Sequence, residues 1–120
     1  MNWTLDKNKP ICPQLCQQLC ASIAAGEFLP NQRLLSVREV AVTAGVNPNT
    51  VQRAFAQLEQ QGILYSARGA GWFVSENTAA ARDMRQELVR RKTENFFQEM
   101  NSLGVSGEEV KTIVEEWEYV

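Results

Sequence analysis

Residues 35–60 encode two amphipathic helices with almost no chain between them, and this pairing restricts the fold more than any other feature. Ser36-Val37-Arg38-Glu39 has the spacing of a capping box, in which the serine accepts from the Glu39 amide and the glutamate reaches back. A short helix follows with Val37, Val40 and Ala41 facing inward. It stops at Ala44-Gly45, where glycine permits a left-handed turn. Asn47 then suits an N-cap and Pro48 the first helical position. Val51, Ala54, Phe55 and Leu58 recur at i, i+3, i+4 and i+7, so the second helix buries one face until Gln61-Gly62 ends it.

The flanks complete a recognisable order. Residues 1–10 read as an extended polar arm. Leu15, Leu19 and Ile23, with Ile11 and Cys12, form one helical stripe that Gly26 stops. Phe28, Leu29, Pro30 and Asn31 make the connection. Residues 63–67 and 72–74 read as strands joined by Arg68-Gly69-Ala70-Gly71, a hairpin with a glycine-rich, arginine-bearing tip. The predicted fold is therefore α+β, mainly α: a winged helix-turn-helix over residues 1–76, then a short two-helix region over 77–120. In that region a long helix over residues 79–103 carries a thin stripe of Ala81, Met84, Leu88, Val89, Phe96, Phe97, Met100 and Leu103, and Gly104 stops it. Ser106 to Glu109 reads as a second capping box, and Val110, Ile113, Val114 and Trp117 as the apolar face of a last helix.

Composition narrows the function. The net charge of -2 does not announce a polyanionic partner, but the charges are unevenly placed. Residues 31–75 hold Arg33, Arg38, Arg53 and Arg68 against Glu39 and Glu59, whereas acid outweighs base in residues 79–120. A basic patch on one lobe is enough for phosphate contact. Histidine is absent, which removes the Ser-His and Cys-His pairs of nucleophilic catalysis. Cys12, Cys16 and Cys20 repeat every four residues. The outer two lie roughly 12 Å apart along a helix, and thiolate–metal bonds are about 2.3 Å, so one ion cannot hold all three. No metal, no cofactor and no catalytic set is expected. The thiols read as small side chains on a half-buried face, with an intersubunit thiol sensor as the alternative. No apolar run approaches the roughly 20 residues of a membrane span, and MNWTLDKNKP is no apolar signal region, so a cytoplasmic protein is expected.

A helix-turn-helix places its second helix in the major groove, so the first turns of that helix must be polar. Here they present Asn47, Asn49, Thr50, Gln52 and Arg53. Asn and Gln pair with adenine at two points and Arg with guanine. Ser36 and Arg38 open the preceding helix within reach of phosphate, and the wing residues Arg68, Gly69 and Gly71 allow close approach to backbone or minor groove. Each residue also has a plainer reading. Ser36 and Asn47 serve as caps, Arg38 pairs with Glu39, and Arg53 lies on a solvated face. Arg90-Arg91-Lys92 reads as a salt-bridged face beside Glu87, Glu94 and Glu99.

The spaced set Pro10-Ile11, Gly26-Glu27, Pro30, Arg33-Leu34, Ser36 to Ala41, Gly45 to Val51, Arg53-Ala54, Leu58-Glu59, Gly62 and Gly69-x-Gly71-x-Phe73-Val74 resembles the GntR family of bacterial regulators. With only about 45 residues after the wing, the chain is similar to the YtrA subfamily, whose members dimerise through a short two-helix region and often sit near transporter genes. The resemblance implies DNA contact by Ser36, Arg38, Asn49, Thr50, Arg53, Gly69 and Gly71. Three departures stand out: Leu35 replaces a usual proline, Asn31-Gln32 a usual Gly-Asp, and Gln52 a frequent arginine. The reading is a homodimeric regulator, a repressor by family habit, on a near-palindromic operator. Its self-association would run through Met84, Leu88, Phe96, Phe97, Met100, Leu103, Val110, Ile113, Val114 and Trp117, and its small-molecule effector is unassigned. The alternative is a winged-helix protein-interaction module that does not touch DNA; such a module would expose apolar residues where Asn49, Thr50, Gln52 and Arg53 stand.

Overall fold

A computed structural model describes residues 1–118; Tyr119 and Val120, the end of the expected 77–120 region, lie outside the described residues. Five helices and two strands follow in the order α1 (Ile11–Ala24), α2 (Val37–Ala44), α3 (Pro48–Gln60), β1 (Leu64–Ala67), β2 (Gly71–Val74), α4 (Ala79–Ser102) and α5 (Gly107–Glu116). The chain divides into two compact units, Met1–Arg85 and Gln86–Val120, so the first turns of α4 belong to the first unit.

The first unit is built on the stripe of α3. Val51 and Leu58 are fully buried, with Ala54 and Phe55 beside them, and the core they enter also holds Leu15, Leu19 and Ile23 of α1, Val40 of α2, and Leu64 and Val74 of the hairpin. Cys16 and Cys20 are fully buried too, deeper than a half-buried face requires. Ala81 and Met84 from the start of α4 join the same core. The wing packs on α3 through Trp72, whose ring meets Phe55 edge-on at 5.6 Å. Glu59 ties the end of α3 to β1 by accepting from both the amide and the hydroxyl of Ser66.

β1 and β2 are antiparallel, with Leu64 opposite Val74 and Ala67 opposite Gly71, so Gly71 belongs to the strand rather than to the turn. Ile63 stays outside β1; its amide instead bonds to Leu58 O and closes the end of α3. Asn31, the end of the expected connection, and the three residues after it pair with the hairpin. Asn31 N donates to Val74 O, Val74 N to Gln32 O and Leu34 N to Trp72 O, so residues 31–34 line the free edge of β2, with Arg33 and Phe73 forming an isolated antiparallel bridge. Asn31 takes a positive φ of 65°, which asparagine tolerates better than most residues. Its Oδ1 accepts from Tyr65 Oη, and Gln32 Oε1 accepts from the Leu29 amide. The Asn31-Gln32 departure thus supplies a left-handed residue and a side-chain acceptor.

In the second unit, Ser106 caps α5 by accepting from Glu109 N at 3.2 Å. The reciprocal bond that would complete a capping box is not formed among the described residues, because Glu109 does not turn back to the Ser106 amide. Trp117 lies just past α5 with extended backbone and is 68% exposed, so it does not extend the helical face.

Leu58→Ala should lower the unfolding free energy by about 3 kcal/mol, since the cavity falls where α1, α3 and β1 meet. Leu29→Ala, at an exposed side chain of the same unit, should cost under about 0.5 kcal/mol. Urea denaturation of both variants compares the two sites directly.

Candidate nucleic-acid interface

The helix-turn-helix is set by its caps. Ser36 Oγ accepts from Glu39 N at 3.1 Å, and Glu39 Oε1 accepts from Ser36 N at 3.4 Å. One lone pair of the Ser36 oxygen is therefore committed, while its hydrogen remains free to donate outward. Gly45 ends α2 in the left-handed region at φ 69°. Asn47 Oδ1 accepts from Asn49 N at 2.8 Å and starts α3, so Asn47 acts as a cap and keeps its two amide hydrogens and one lone pair for another partner. No acidic residue stands in the first turn of α3, which leaves the positive end of the helix dipole uncancelled.

α3 turns its two faces to different media. Val51, Ala54, Phe55 and Leu58 are buried, whereas Asn49, Gln52 and Arg53 are exposed and Thr50 is half-buried. Arg38 is exposed on α2, and Arg68 and Gly69 at the hairpin tip. The salt bridges among the described residues are all in the second unit: Arg90 with Glu87 and Glu94, and Lys111 with Glu108. Arg33, Arg38, Arg53 and Arg68 have no carboxylate partner there, so the first unit offers uncompensated positive charge. The plainer expectation for Arg38, a pair with Glu39, is not what the structure holds, because Glu39 is turned to the Ser36 amide. Arg90 does behave as a salt-bridged face. Its hydrogen bonds to Glu87 raise its pKa further and hold the Glu87 carboxyl below its ordinary value.

The wing brings in a residue that composition flagged but motif reading did not assign. Gly71 adopts φ 105°, and a Cβ there would lie 3.3 Å from Arg33 Nε, so the Arg33 side chain lies across the start of β2. Only pairing of residues 31–34 with β2 makes Arg33 a neighbour of the wing, and that pairing left no periodic signal in so short a segment.

The residues expected for self-association fall in two places. Met84 sits with the first unit, its Sδ 3.1 Å from Cys20 Sγ. In the second unit Val110 is buried, while Leu88, Phe97 and Met100 are half-buried. Phe96, Leu103, Ile113, Val114 and Trp117 are exposed. An open groove of about 670 Å³ runs past Val89, Phe96, Phe97 and Val114.

The three thiols face different partners. Cys12 Sγ approaches Gln57 Oε1, Cys16 Sγ points to Ala54 O and Cys20 Sγ to Met84 Sδ. Burial pushes the Cys16 thiol up to about 12, with Cys12 and Cys20 adding to the rise, and burial alone pushes Cys20 up to about 11.

Comparison with known proteins bears on this geometry. Residues 13–74 match the model of the bacterial regulatory proteins, gntR family. The chain is 35% identical over 119 residues to the HTH-type transcriptional regulator YhcF of Bacillus subtilis, covering 96% of this chain and 98% of that one. It is 31% identical over 108 residues to the HTH-type transcriptional repressor YtrA of the same organism, covering 89% and 83%. Among solved structures it is similar to a GntR family transcriptional regulator from Listeria monocytogenes, with a TM-score of 0.83 and 36% identity over 95% of this chain and 100% of that one. It is also similar to the AraR DNA-binding domain in complex with operator ORR3, with a TM-score of 0.52 and 33% identity over 53% and 77%.

A thiolate, not a thiol, attacks an alkylating reagent. At pH 8 iodoacetamide should therefore label half-buried Cys12 and leave Cys16 and Cys20 intact until the chain is denatured, as peptide mass mapping would read. Because both raised values exceed the ordinary 9.0, their stabilising effect is full below pH 9 and is lost as pH rises toward 11 to 12.

Proposed function

The chain belongs to the GntR family of bacterial regulatory proteins, and on that premise we propose that it is a sequence-specific DNA-binding repressor, acting in the cytoplasm as a homodimer on a near-palindromic operator. The observation that carries the reading is the outer face of the helix-turn-helix. Asn49, Gln52 and Arg53 on α3 and Arg38 on α2 stand exposed, and the arginines have no carboxylate partner among the described residues. In this reading α3 enters the major groove, Asn49, Thr50, Gln52 and Arg53 meet base edges, Ser36 and Arg38 meet phosphate, and Arg68, Gly69 and Gly71 of the wing follow the backbone. Asn47 serves mainly to hold α3 at its start. The AraR domain, similar over about half of this chain, was solved with an operator, which supports the DNA reading. The alternative, a protein-interaction module, fits less well, because a polar face bearing an unpaired arginine offers little apolar area to a protein partner.

The likeness to YtrA supports repression, and the subfamily resemblance supports transporter genes as targets. Dimerisation is supported by the apolar side chains that α4 and α5 leave in water: Phe96, Leu103, Ile113, Val114 and Trp117. A second copy would cover them, and two copies would present two α3 helices to two half-sites. A small effector seated in the groove beside Phe96 and Val114 would compete with that packing.

Selection from a random duplex-DNA pool should enrich one near-palindromic sequence. On that sequence Arg38→Ala and Arg53→Ala should each weaken binding about tenfold or more; enrichment of no sequence, or unchanged binding by both variants, would remove the assignment. Phe96→Glu combined with Val114→Glu should give a monomer in sedimentation while the first unit stays folded.

A further inference from the structure

The arm formed by residues 1–10 is polar, yet it is laced to α1 along its length. Trp3 and Leu5 pack against the core. Thr4 N donates to Gln18 Oε1, and Gln18 Nε2 donates back to Thr4 O. Asp6 N donates to Gln14 Oε1, and Gln14 Nε2 donates to Asp6 O and Pro10 O. These paired amides fix the path of the arm on both sides of Lys7. From that anchored position Lys7 reaches across to the helix-turn-helix, where its Nζ donates to Gly45 O at 2.8 Å and to Ala44 O at 3.3 Å.

Those two oxygens lie at a sensitive place. Ala44 is the last residue of α2, Gly45 its left-handed cap, and Asn47 the N-cap of α3. The last carbonyls of a helix have no partner inside it and carry the negative end of its dipole. Here Ala41 O takes the amides of both Gly45 and Val46, leaving the Ala44 and Gly45 oxygens to find donors elsewhere. An ammonium supplies two donors and the complementary charge. Lys7 has no carboxylate partner among the described residues that would draw it away.

We infer that Lys7 is a positioning residue for the recognition helix: its ammonium clamps the α2–α3 turn and so fixes where Asn49, Thr50 and Arg53 are offered to DNA. The inference rests on the DNA-binding reading above. It differs from a phosphate contact in a measurable way. Two of the three ammonium hydrogens are spent inside the fold, and a clamp releases no DNA counterion. A phosphate contact releases one and adds close to one unit to the slope of log affinity against log salt.

The test uses the full chain and the duplex that the parent enriches from a random pool, with affinity measured over a range of salt. Lys7→Met keeps the aliphatic stem and removes the charge and the donors. It should weaken binding about threefold to fivefold with the salt slope unchanged, and amide hydrogen exchange at Val46 should speed up. Lys7→Arg, which can donate to the same two oxygens, should restore both affinity and exchange protection. Parental affinity in Lys7→Met, a slope reduced by about one, or a loss that Lys7→Arg does not relieve would each overturn the clamp. If the parent enriches no DNA, the DNA-binding reading fails instead. Exchange at Val46 in Lys7→Met then decides the clamp on its own: faster exchange keeps it and unchanged exchange overturns it.

Discussion

Everything the first unit does depends on the burial of one face of α3. Val51, Ala54, Phe55 and Leu58 lie within 2% of complete burial, among side chains from α1, α2, the hairpin and the start of α4. Removing that apolar area from water is the largest favourable term available to so small a core. It also has a directional consequence. A helix pinned along one stripe must present the opposite stripe to solvent, so Asn49, Gln52 and Arg53 face outward because Val51, Ala54 and Phe55 face inward. The hairpin is seated by the same core through the Phe55–Trp72 contact, which places a glycine-bearing tip on the unit that carries α3.

Around this core the polar interactions act locally, and each fixes a boundary. The Ser36–Glu39 box starts α2, Gly45 ends it, and Asn47 starts α3. Glu59 fastens the end of α3 to β1 through Ser66. Lys7 supplies from the arm what the turn lacks at the end of α2. None of these bonds is large alone. Together they decide where a helix held by apolar packing begins, ends and points. The two units also differ in charge. Among the described residues the arginines of the first have no carboxylate partner, while Arg90 and Lys111 of the second are paired on their own helices.

The second unit buries little by itself. α4 past Gln86 is mostly polar, and of the apolar face on α5 only Val110 is buried. A face that leaves Trp117, Val114 and Leu103 in water is at odds with an isolated polar helix pair and in keeping with a surface that meets another chain. The proposal of a homodimer takes its physical content from that imbalance.

Much of this was legible in the sequence, for one reason: helix caps and apolar periodicity are local signals. Ser36-x-x-Glu39, Gly45, Asn47-Pro48 and the Val51–Leu58 stripe set both helices of the motif, and the glycine-bearing turn after Arg68 announced the hairpin. What tertiary structure decided was every pairing between segments distant in the chain. Residues 31–34 carry no periodicity, yet they bridge to β2 because its free edge needs partners for its backbone; that pairing brings Arg33 to the wing. Lys7 is an ordinary polar residue in an arm until the Gln14 and Gln18 amides hold that arm against α1, 37 and 38 residues from the carbonyls it caps. Ser106 promised a box and made half of one, because a local signal offers a bond that the surrounding chain need not complete. The helix-turn-helix was therefore settled by the sequence itself, through contacts within a few residues. The surface it works with was settled only by the fold, because long-range contacts chose which charges stand beside it unpaired.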